Sequence, residues 1–80
     1  MSELLKFRRK LEENELKAGD MRLRLQKLRE SLRDALDPFA PVENLSATLI
    51  MSLSADFGVL QTDLKAVLDE TAAIRHALGR

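Results

Sequence analysis

Apolar residues recur every three or four positions along nearly the whole chain, and the pattern breaks once, at two prolines. In the first half Leu4, Phe7, Leu11, Asn14, Ala18, Met21, Leu25, Leu28, Leu32 and Ala35 fall on one seam in which only Asn14 is polar. In the second half Ile50, Leu53, Phe57, Leu60, Leu64, Val67, Thr71, Ile74 and Leu78 form another, with Thr71 its one polar member. Alternating steps of three and four mark the a and d positions of a heptad repeat, the stripe that one helix buries against another. Asp37-Pro38 ends the first pattern, because the residue before a proline is pushed out of helical geometry, and Pro41 hinders a restart. The spacing predicts an all-α chain forming one domain over residues 1–80, with a helix over about 3–36, a proline corner over 37–45 and a helix over about 46–78. Ser2 is placed to cap the first helix and Asn44 or Ser46 the second, with Gly79 just past its end. The corner carries Phe39 and Val42 and is not Gly/Ser-rich, so it reads as a packed turn and not a flexible linker. Two long amphipathic helices joined in this way favour an antiparallel hairpin, a helical coiled coil with Phe39 covering its end.

Charge suggests a register. The g positions, each just before an a residue, hold Lys10, Lys17 and Arg24 in the first helix and Asp56, Asp63 and Glu70 in the second. In an antiparallel pair g faces g. Matching Lys10 with Glu70, Lys17 with Asp63 and Arg24 with Asp56 centres the turn on Phe39. It also predicts core layers that include Leu4–Ile74, Phe7–Thr71, Asn14–Leu64, Leu25–Leu53 and Leu28–Ile50. Asn14 reads either as a polar specifier of register or as a tolerated wet layer near Thr71.

A chain of 80 residues has little core to offer, and it contains no cysteine to staple it. Domains this small usually rely on oligomerisation, metal or idealised helix packing. The second helix also has more apolar surface than one seam can bury. Residues 44–55 carry no charge, and Leu49, Met51, Ala55, Val59, Ala66 and Leu68 lie off the seam, as do Leu16 and Leu23 in the first helix. These eight residues are the candidate interaction surface. The expected assembly is a homodimer of hairpins forming a four-helix bundle, since two-fold closure is the commonest oligomer symmetry. An unidentified protein partner is a further expectation.

Catalytic chemistry finds no support, and no enzyme is expected. His76 is the single histidine, and it falls on an outer position near the end of the second helix. The Glu-x-x-His motif of dimetal bundles is absent, because Ala73 stands three residues before His76. The glycines are isolated, so no phosphate loop can be drawn. No metal or cofactor is therefore expected. Thirteen basic and thirteen acidic residues cancel, which argues against a dedicated nucleic-acid-binding domain. The alternative reading is a nucleic-acid-associated accessory protein that uses Arg22, Arg24, Lys27, Arg29 and Arg33 as phosphate contacts. These residues spread over several heptad positions with no aromatic interleaved, as a solvated coiled-coil face does. No apolar run reaches the ~20 residues needed to span a bilayer. The stretch "MSELLKFRRK" lacks the basic-then-apolar order of a signal peptide. The chain reads as soluble and intracellular, with no membrane partner.

The stretch "LRESLRDALDPFAPVENL", its following Leu/Ala-rich helix and the ending "AAIRHALGR" resemble small helical proteins encoded in Mu-like prophages of bacteria. That resemblance covers most of the chain. It implies a prophage accessory protein in a bacterial cytoplasm, and it implies no activity and no functional residues. Taken together, the expected function is a non-enzymatic protein–protein interaction or structural module, an adaptor or regulator.

Overall fold

The computed structural model describes residues 2–79 and is a hairpin of two long helices packed along their length. Helix α1 runs Glu3–Ala35 and helix α2 runs Ala47–Ala77, joined by a corner containing one short 3₁₀ turn, Val42–Asn44. The rod measures 60 × 18 × 15 Å. Among the described residues, no helix is long and apolar enough to cross a membrane.

Local signals set the helix ends. The Ser2 hydroxyl accepts a hydrogen bond from the Leu5 N–H at 3.2 Å, and Ser46 does the same for Leu49 at 3.2 Å. Each satisfies one of the amide donors that a helix N-terminus leaves unpaired. At the far end of α2, Gly79 adopts φ +75°, the left-handed conformation that glycine takes without steric penalty, and its N–H donates to the His76 carbonyl at 3.0 Å.

Helix α1 ends shortly before Pro38, where Leu36 closes the last turn by donating to the Leu32 carbonyl at 2.9 Å. The Asp37 carboxylate then accepts from the Phe39 N–H at 3.0 Å. This local turn sends the Phe39 side chain outward, and it is 93% exposed. The expectation that Phe39 covers the bundle end is therefore overturned. Val42 is exposed as well, and the half-buried apolar residues of the corner are Ala40 and Leu45.

Both seams face inward. Leu11, Ala18, Leu64 and Ile74 are buried, with Asn14 and Thr71 among them, and Met21, Leu25, Leu28, Ile50, Leu53, Phe57, Leu60 and Val67 are half-buried. The register differs from the one expected from charge. Asn14 hydrogen-bonds Glu70 and shares a hollow with Thr71, one heptad beyond Leu64. In the same sense Leu25 lies beside Phe57 rather than Leu53, and Leu28 beside Leu60 rather than Ile50. A heptad repeat permits both alignments, because each layer looks like the next. Asn14 separates them. Opposite Leu64 it would face Asp63, one methylene shorter than Glu70, and Thr71 would form a second polar layer opposite Phe7. Beside Glu70 and Thr71 it is satisfied, and no buried side-chain N or O is left unpaired among the described residues.

The shift has a cost at the open end. The first turns of α1 pass beyond the well-covered part of α2, leaving Leu4 49% and Phe7 37% exposed. The register therefore predicts unequal truncations. Leu64→Ala should cost about 2–4 kcal/mol in urea unfolding. Leu4→Ala should stay within about 0.5 kcal/mol of the parent, as surface changes do. Equal losses at the two sites would restore the Leu4–Ile74 layer.

Candidate interaction surface

The two sides of the hairpin differ in charge, and the difference follows from heptad position. On one side the g residues of the two helices approach each other. Lys10 meets Glu70 there at 3.7 Å. Of the three ion pairs expected, this one forms. Arg24 instead binds Asp20 of its own helix at 3.1 Å. Among the described residues, Lys17, Lys27, Asp56 and Asp63 make no ion pair within 4.0 Å. A shallow apolar groove runs along this side. Its floor is Leu28, Val59 and Leu60, with Arg24 and Lys27 on the α1 rim and Asp56 and Asp63 on the α2 rim.

The other side carries the e positions. Arg22 and Arg29 flank Phe57 around one hollow. Farther along, Arg75 Nη2 donates to Glu15 Oε1 at 3.0 Å. Arg8 also lies on this side, at the edge of a hollow with Leu11, Glu12 and Glu15. This side is thus mainly basic.

Asn14 links the seam to the first side. It is only 2% exposed, and its Nδ2 donates to Glu70 Oε1 at 2.9 Å. Thr71 satisfies its own hydroxyl by donating to the Val67 carbonyl at 2.7 Å. The Asn14 hydrogen bond, aided by Lys10 and Lys17, holds the Glu70 carboxyl below the usual glutamate range, against a smaller opposing effect of desolvation.

The structure does not gather the eight candidate interaction residues on one face. Leu49, Val59 and Ala66 lie toward the grooved side of α2, with Ala55 on the adjoining outer face, where it neighbours Gly58, Val59 and Thr62. Met51 lies on the opposite flank of α2, and Leu68 is half-buried in the hollow beside Arg75. Leu16 and Leu23 point away from α2 on the back of α1, 77% and 61% exposed. The candidate phosphate contacts divide too. Arg22 and Arg29 are on the basic side, while Arg24 and Lys27 are on the grooved side. Arg33 is exposed near the corner, beside Asp34 at 3.6 Å.

Sequence reading missed the Asn14–Glu70 bond, the Glu15–Arg75 pair and the placement of Phe57 between two arginines. Each depends on the alignment of the helices, and the usable signal was that Asn14 and Thr71 are the two polar members of otherwise apolar seams. Among the described residues, no three His, Cys, Asp or Glu side chains are grouped to hold a metal ion. No family model, curated protein or solved structure matches the chain.

The lowered Glu70 value predicts an acid-sensitive contribution to stability. A carboxyl depressed in the folded state adds stability above its unfolded value, and that contribution is lost as pH falls through the folded value. Glu70→Gln should therefore be less stable than the parent at neutral pH, and the gap should close in acid. Thermal unfolding of both proteins across pH measures it, and a pH-independent gap would refute the assignment.

Proposed function

We propose that this chain is a non-enzymatic interaction module that acts as a self-associated hairpin, two copies forming a four-helix bundle. Its exposed surface carries the reading. The chain presents 6149 Å² to solvent, whereas a compact chain of 9.0 kDa is expected to present about 4,900 Å². The excess, roughly 1,200 Å², exceeds the ~800 Å² that each partner buries in a standard interface. Much of what is exposed is apolar, including Met51, Val59, Leu16 and Leu23. Exposed apolar faces of this extent mark interaction sites.

The prophage resemblance of the corner and tail supplies the proposed setting, an accessory protein, adaptor or regulator of a bacterial phage, working in the host cytoplasm. The nucleic-acid reading draws less support, because its five basic residues split between two sides and two of them sit against acidic neighbours.

Sedimentation equilibrium tests the proposal. At micromolar concentration the folded chain should sediment at twice its 9.0 kDa mass. A folded monomer at that concentration would reject self-association. Titration with duplex DNA at low salt should give no binding, and a salt-sensitive complex would favour the alternative.

A further inference from the structure

We propose that the second copy docks on the grooved side of the hairpin, about a two-fold axis parallel to the helices, so that both proline corners lie at the same end of the bundle. This deepens the self-association proposed above and rests on it.

Charge selects the side. Two copies meeting through the e side would gather Arg8, Arg22, Arg29 and Arg75 of each at one interface against only Glu12 and Glu15, the latter already engaged by Arg75. The grooved side has an apolar floor and two rims of opposite sign, Arg24 and Lys27 on α1 and Asp56 and Asp63 on α2. Lys27, Asp56 and Asp63 have no ion-pair partner within 4.0 Å among the described residues. They are exposed, so a docking copy can reach them.

Charge also selects the symmetry. Two grooves can face each other about an in-plane axis in two ways. An axis across the helices lays α1 on the partner's α1, cationic rim on cationic rim. An axis along the helices lays α1 on the partner's α2, and Arg24 and Lys27 then each face an acidic rim, twice over by symmetry. Helices remain antiparallel to their neighbours in both arrangements, so helix dipoles do not distinguish them. Rim charges do, since like charges facing across an interface are strongly unfavourable. In the favoured arrangement Lys27 lies level with Asp56 of the partner subunit and Arg24 with Asp63 of the partner subunit, and Val59 is covered from both copies.

Mixing two charge-reversed chains tests the face and the axis together. Lys27→Glu alone should dimerise about tenfold more weakly than the parent, because each interface contact becomes acidic against acidic. Asp56→Lys alone should weaken similarly, with basic against basic. Mixed in equal amounts, the two should form a heterodimer near parental affinity. The carboxylate introduced in one chain then meets the ammonium introduced in the other, and the second contact is the native pair of Lys27 and Asp56. If the two charges acted within one chain, mixing would rescue nothing, and that outcome overturns the proposal.

Val59→Lys gives an independent reading. It replaces a side chain 66% exposed in the hairpin, so helicity should persist while dimerisation is lost. Leu16→Lys, on the back of α1, should leave the dimer intact, and the reverse ranking overturns the face. The chain has no cysteine, so Glu43→Cys accepts a single spin label at the corner. Label separations should fall well under half the 60 Å length of the rod, and a longer separation overturns the parallel axis. A parental chain that is itself monomeric defeats self-association. A parental dimer without mixed rescue defeats only the docking mode.

Discussion

The hydrogen bond from Asn14 to Glu70 marks how the two helices align, and most features of the hairpin follow from that alignment. Leucine and alanine layers are nearly interchangeable, so an apolar seam opposes a slip of one heptad only weakly. A buried amide is different, because it must find an acceptor or lose its hydration without compensation. Asn14 finds one at the rim of α2, beside the other polar seam residue, Thr71. The polar members of both seams thereby share one layer, and the remaining layers can be apolar throughout. The same alignment leaves Leu4 and Phe7 half-covered and separates Lys17 and Asp63, which charge alone would have paired.

That choice exchanges packing for specificity. A buried polar layer adds little net stability compared with well-packed leucines, and its best-attested value is to set register. The exchange is costly in a chain whose described residues include four buried apolar side chains, Leu11, Ala18, Leu64 and Ile74. Cores this small commonly draw on oligomerisation, metal or idealised helix packing. The uncharged stretch at the start of α2 and the exposed Val59 offer surface for oligomerisation.

The elements themselves were legible. Proline pushes its predecessor out of helical geometry, serine caps, and heptad spacing turns two seams inward; all of these act within a few residues, so they can be read in order along the chain. Phe39 misleads because an apolar residue in a turn suggests burial, whereas the Asp37 side chain bonds the Phe39 amide and orients the backbone outward. The register misleads for another reason. Exposed ion pairs are worth about 0–1 kcal/mol each, so they select only weakly between alignments one heptad apart. Faces were hardest to read. Leu16 and Val59 are alike in composition but hold different heptad positions, and the packing of α1 on α2 sets Val59 beside the groove and Leu16 on the back of α1.

The exposed corner gains meaning from the same reasoning. Phe39 is held outward by hydrogen bonds within the turn, so its exposure is built into the fold and does not reflect looseness. Because these bonds are local, packing on the flanks of the rod leaves the tip unchanged. Two hairpins joined along their grooves with corners together would set two Phe39 side chains and two Val42 side chains at one end of the bundle. Two corners at opposite ends would leave each aromatic tip alone. In a dimer, the alignment of two rims of charge, far from the corner, would thus determine whether the assembly presents one paired apolar end or two separate ones.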